Sequence, residues 1–206
     1  MISPHIFDSI NIQLPKKEIY SRLGYQRGKT KILPQQEKEV EGYIEKASKL
    51  IKLKGSAKRV PIVKKDSAGV IFSSGVDFRS QILSTLLEGS REALFVGATA
   101  GSGIVKLICE NKNDNLTEKI VFDAVASETV NAALDWIEEY FVSQLKRENK
   151  KLTKRRISCG YGDFLLQYQK EIFKGLNLKK LGVKISENFI LTPEKSVTGV
   201  YGILDM

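Results

Sequence analysis

Residues 155–202 read RRISCGYGDFLLQYQKEIFKGLNLKKLGVKISENFILTPEKSVTGVYG, and the rest of the chain is best read outward from them. A basic pair leads into Tyr161, which sits between Gly160 and Gly162. Glycines on both sides of a tyrosine permit backbone conformations closed to other residues, and they let backbone N–H and C=O groups come close to a ligand. Arg156, four residues before Gly160, carries a planar fork that matches a carboxylate. Asp163 is placed to cap a helix over 164–176. Residues 183–191 and 197–203 then read as the last two strands. Two readings of the GYGD segment stand at this point: a ligand-approaching loop, or a plain turn before a helix. A second special segment follows. Ser186, Glu187 and Asn188 precede an apolar stretch, and Thr192–Pro193 opens a turn that reaches Ser196 and Gly199. It is either a hairpin with a polar connection or a second ligand loop.

Upstream, Ile6, Ile10, Ile12 and Leu14 suggest a short strand stopped by Pro15. A short helix over 16–23 ends at Gly24. Residues 25–34 form a basic loop, and apolar spacing through Val40, Ile44, Ala47 and Ile51 predicts a helix over 35–51. Strands are expected at 57–63 and 69–72 around a turn, with a helix over 79–87. ALFVGA, residues 93–98, has the length and apolarity of a central strand. The glycine-rich segment from Gly97 to Gly103 is neither GxGxxG nor GxxxxGK[ST], so close backbone packing is its better reading. Residues 104–109 fit helix or strand equally. Residues 111–117 are polar and expected to be exposed. A long helix over 120–144 follows, with alanines suited to close packing on a sheet, and the charged run 146–156 reads as a linker. Helices and strands mix without a βαβ rhythm, which gives an α+β fold: a mixed or antiparallel sheet packed with several helices.

Composition narrows function by exclusion. The chain has 206 residues and 42% hydrophobic content, which fits one domain with a real core. We take it as a single domain over 1–206, helical in its N-terminal segment 1–55 and with its core over 56–206. No apolar run approaches a membrane span, and the N-terminus lacks a basic start followed by an apolar core, so no membrane association is expected and the chain reads as cytoplasmic. His5 is the single histidine, which argues against a Ser-His-Asp or Cys-His nucleophile and against a histidine-rich metal site. Cys109 and Cys159 have no metal-ligand spacing and read as buried or half-buried thiols. The net charge of +9 fits a lysine-rich solvated surface or an acidic partner. Nucleic acid is disfavoured, because the basic run lacks interleaved aromatics. No catalytic residue and no metal ligand is assigned.

Taken together, RxSxGYGD, a helix, and GVKISENFILTPEKSVTGVYGI resemble, in order and spacing, the S-adenosylmethionine-binding activation domain of cobalamin-dependent methionine synthase. LGY at Leu23–Tyr25, ALFVGATAG, and the long-helix segment beginning at Phe122 are similar to small stand-alone versions. The resemblance is strong after Arg156 and weak before residue 90. It implies an activation-domain-like fold and a free-standing module that supplies S-adenosylmethionine for reductive reactivation. In that process cob(II)alamin takes one electron from a flavodoxin- or ferredoxin-like donor and is then methylated. Cobalamin would be met only through the partner, a methionine synthase lacking this domain. The resemblance places the carboxylate-binding arginine on Arg156, with Ser158, Gly160, Tyr161 and Gly162 shaping the pocket and Glu187 and Ser196 as second-loop candidates. It also shows departures. Family glutamates fall on Lys150 and near Asn131, a ligand-binding aspartate has no counterpart, and the sequence ends at Met206 before a later tyrosine pair. A pocket completed by another chain is one expectation; the other is a binding or scaffold module for a corrinoid protein that has lost S-adenosylmethionine.

Overall fold

The computed structural model describes residues 3–26, 29–31, 33–110 and 115–206. The first half contains β1 (His5–Phe7), α1 (Lys16–Arg22), α2 (Pro34–Ser48), β2 (Lys54–Asp66), β3 (Gly69–Phe72), β4 (Asp77–Phe78), α3 (Gln81–Leu86) and β5 (Glu92–Thr99). Then come α4 (Ser102–Glu110), α5 (Leu116–Arg147), β6 (Lys150–Leu152), α6 (Gln169–Gly175), β7 (Lys184–Ile185), β8 (Leu191–Thr192) and β9 (Ser196–Asp205). Short 3-10 turns cover Leu166–Tyr168 and Leu178–Leu181. The fold is α+β, and every strand pairing described is antiparallel.

ALFVGA lies in β5, at the middle of the sheet order β4-β3-β2-β5-β9-β6. Its side chains alternate between two cores, as a strand covered on both faces requires. Leu94, Val96 and Ala98 join the core built with α1, α2, α4 and α5. Ala93 and Phe95 join the opposite core, with α3, α6 and the 178–181 turn. Full burial of each Leu, Val or Phe contributes about 1.5–3 kcal/mol, so both faces are needed to hold this strand. β2 does two jobs. Residues 54–61 pair with β5, and residues 62–66 pair with β3 after a register break between Ile62 and Lys64. α5 is 32 residues long, and the Asn115 side chain caps it by accepting from Glu118 N at 3.1 Å. Its Ala124, Ala126 and Ala133 are buried, and Gly55 leaves room for Ile137: a Cβ at Gly55 would lie 2.6 Å from Ile137 Cδ1.

Several expectations are corrected. The first strand pairs only over residues 5–7, and beyond it a single backbone bond, Ile10 N to Leu53 O at 3.0 Å, continues the contact. Residues 104–109 are helical, within α4. The charged run is not a linker: α5 reaches Arg147, Asn149 turns the chain at φ 57, and β6 adds to the sheet beside β9. Three residues are too few for a period-2 signal to show. Residues 183–191 are not one strand but a ribbon of two short strands. The helix over 164–176 shrinks to a 3-10 turn followed by α6. Residues 111–114 of the expected polar loop, and 27, 28 and 32 of the basic one, lie outside the described residues. No helix among the described residues is long and apolar enough to cross a membrane.

Candidate functional site

The GYGD segment is a tight turn hung beside β9. Ile157 and Val200 exchange backbone hydrogen bonds at 3.1 and 2.8 Å. The chain then reverses: Gly160 N donates to Phe164 O at 2.7 Å and Phe164 N to Tyr161 O at 3.0 Å. Gly160 and Gly162 take φ +90 and +57, so both positions favour glycine. At Gly162 a Cβ would also collide with Ile82 Cδ1, which ties the turn to α3. Asp163 strengthens that tie. Its carboxylate accepts from Ser80 Oγ at 2.7 Å, Gln81 N at 2.6 Å and Ile82 N at 3.3 Å. It therefore caps α3, across the fold, instead of the helix that follows it. The Ser80 hydroxyl, with the two amides, holds the Asp163 carboxyl below its usual range.

Arg156 runs over the backbone of β9. The opening is made by Gly199, where a Cβ would lie 3.0 Å from Arg156 Cδ. Arg156 Nη1 donates to Asp135 Oδ1 at 2.8 Å and to Tyr201 OH at 3.2 Å. Tyr201 OH in turn donates to Glu138 Oε2 at 2.7 Å. Burial, then the bond to Glu138, pushes the Tyr201 phenol up, so it stays a donor at neutral pH. Among the described residues, Nε and Nη2 of Arg156 make no hydrogen bond. Two donors along one edge of a guanidinium can take a carboxylate with two parallel bonds.

Next to this turn lies a cavity of about 220 Å³, bounded by α6, the β7–β8 ribbon and the start of β9. Leu166, Phe189 and Leu191 contribute apolar wall, and Ser158, Gln169, Ser196 and Thr198 contribute polar groups. Ser158 Oγ donates to Thr198 O at 2.7 Å, and the Ser196 hydroxyl is within reach of Thr99 Oγ1 at 2.8 Å and Pro193 O at 2.6 Å. The base of the second loop is anchored to the long helix by Lys195, whose Nζ meets Asp123 Oδ1 at 2.5 Å. Cys159 also lines the cavity, and burial pushes its thiol up to about 12, so it is a neutral, inert wall group.

The residues singled out from the sequence thus separate. Ser158 and Ser196 meet in the cavity. Gly160 stands at its rim, where a Cβ would touch Leu166. Arg156 lies two residues upstream, outside the lining. Tyr161 and Glu187 are exposed and also outside it, Glu187 at the tip of the ribbon. Gln169, Thr198 and Glu194 line the cavity and were not anticipated. The alternation of β9 could have flagged Thr198 as inward-facing; nothing in the sequence separates Gln169 from an exposed helical glutamine. The glycine-rich segment packs closely as expected, with a Cβ at Gly103 falling 2.8 Å from Leu50 O.

No family model matches this chain, and no curated protein does. Among solved structures, the crystal structure of the MetH reactivation domain bound to AdoHcy is similar over 98% of this chain and 81% of that one, with TM-score 0.63 and 15% sequence identity. The chain is a reactivation-domain-like protein in its fold: a curled antiparallel sheet between helices.

Proposed function

We propose that this protein is an S-adenosylmethionine-binding module that supports reductive methylation of cob(II)alamin in a separate cobalamin-dependent methionine synthase. The observation that carries the reading is that Arg156 keeps Nε and Nη2 without a hydrogen bond among the described residues, two positions before Ser158, which lines the cavity with Ser196, in a fold similar to a domain solved with AdoHcy. In this reading Arg156 takes the methionyl carboxylate while Asp135 and Tyr201 hold its other nitrogen in place. Gly160, Tyr161 and Gly162 form the rim, and Glu187 and the ribbon tip face the ligand or the corrinoid. The protein's contribution is positioning; the transfer chemistry belongs to the methyl donor and to the cobalamin carried by the partner. The net charge of +9 suits docking of an acidic flavodoxin- or ferredoxin-like donor, and the setting is cytoplasmic.

Calorimetric titration of S-adenosylmethionine, with Arg156→Ala as control, tests the reading. Saturable binding that is lost in the variant, with both proteins folded, supports it. Absence of binding by the wild type, alone and with a corrinoid partner, favours the scaffold reading instead.

A further inference from the structure

We infer that Glu138 is a positioning residue for Arg156: acting through the Tyr201 hydroxyl, it fixes the guanidinium that takes the ligand carboxylate. The inference rests on the S-adenosylmethionine reading above and adds to it what sets the direction of the arginine.

Glu138 is half-buried, and the hydrogen bond its side chain makes among the described residues comes from the Tyr201 hydroxyl, at 2.7 Å. Its carboxylate has no ion pair among those residues. Glu41, Glu92, Glu118 and Glu128, also half-buried or buried, each meet a lysine or an arginine directly. A carboxylate withdrawn from water ordinarily takes a cation. The cation that Glu138 serves is Arg156, one hydroxyl away.

A phenol has one hydrogen. Spent on Glu138, it leaves the oxygen lone pairs of the buried Tyr201 to accept from Arg156 Nη1 at 3.2 Å. A guanidinium only donates, so a hydroxyl hydrogen turned toward it would oppose the contact. Nη1 itself carries two hydrogens. One goes to Tyr201 and the other to Asp135, which lies one turn before Glu138 on the same face of α5. The chain behind the guanidinium is held as well. Ile157 bridges to Val200, and Arg156 Cδ crosses Gly199 where a Cβ would fall 3.0 Å away. The guanidinium is thus restrained at both ends, and Nε and Nη2 keep one direction. Ordering those donors before the ligand arrives removes a cost that binding otherwise carries.

The test titrates the whole chain with S-adenosylmethionine and with decarboxylated S-adenosylmethionine, which gives Arg156 nothing to hold. Wild type is expected to prefer the first by about ten- to a hundredfold. Tyr201→Phe should weaken S-adenosylmethionine by about three- to tenfold and leave the decarboxylated ligand unchanged, a split that a merely structural role would not produce. Glu138→Leu should weaken S-adenosylmethionine over the same range, with no further loss when the two substitutions are combined. The sign of that change is decisive. A Glu138 that acted only as a charge would repel the ligand carboxylate, so tighter binding by Glu138→Leu overturns the inference. Equal weakening of both ligands by Tyr201→Phe overturns it too. Where Tyr201→Phe does not fold, Glu138→Leu, at a half-buried position, carries the comparison. If wild type shows the preference and both variants match it, the positioning role falls and the broader reading survives. If wild type binds neither ligand, the broader reading falls and the inference with it.

Discussion

Arg59 and Arg156 both reach from the sheet toward carboxylates, and they end in opposite conditions. Arg59 meets Glu92 through Nε and Nη2 at 3.1 and 2.9 Å, and Glu148 through Nη1 and Nη2 at 2.6 and 2.9 Å. Lys150 adds a further bond to Glu92 at 2.7 Å. All three of its nitrogens are engaged, so the cluster is closed; it fastens the end of α5 and β6 to the middle of the sheet. Arg156 uses Nη1 alone. The same residue type is a clamp where its donors are spent and a candidate ligand contact where a bidentate edge is left over.

Four outcomes would break or sharpen that contrast. The largest concerns Arg156→Lys, which keeps the charge and removes the fork. Affinity for S-adenosylmethionine should fall about ten- to a hundredfold while the unfolding midpoint moves by less than about 2 °C; a shift in stability with unchanged titration would make Arg156 a second clamp. Arg59→Ala should do the reverse, costing about 1–2 kcal/mol in chemical denaturation with no change in ligand affinity.

The Arg59 cluster also carries a pH signature. Hydrogen bonds from Arg59 are the leading cause that lowers the Glu92 and Glu148 carboxyls. A carboxyl lowered in the folded state stabilises fully above its unfolded value, near 4.3, and stops doing so as pH falls through the folded one. The stability gap between wild type and Arg59→Ala should therefore close as pH drops below about 4, as denaturation at pH 7 and pH 3 would show. Asp163→Asn gives a smaller effect of the same sign, because its carboxyl is lowered by Ser80 and the α3 amides. The expected loss at pH 7 is about 2 °C in unfolding midpoint, shrinking in acid.

Glycine punctuation and apolar periodicity made much of this molecule readable. β5, α2, α5 and the end strand β9 emerge within a few residues of where the sequence puts them, because each is long enough for its pattern to repeat. The pieces that escaped are short or distant in their bonding. β6 has three residues and depends on β9 for its ladder. Asp163 looks like a local cap because caps are usually local, yet its partners stand more than eighty positions back in the chain. The candidate site divides the same way. Ser158 and Ser196 were legible through the segments that carry them, whereas Gln169 became a cavity residue only when α6 was laid against β9.

The sequence by itself determined the α+β class, the central strand, the long helix and the two conformationally special segments, since these rest on local sterics and on periodic burial. Tertiary structure alone decided which donors are spent. Whether an arginine is a clamp, or an aspartate caps its own helix or another, depends on groups brought together from far along the chain, and spacing along one strand or helix does not encode those distances.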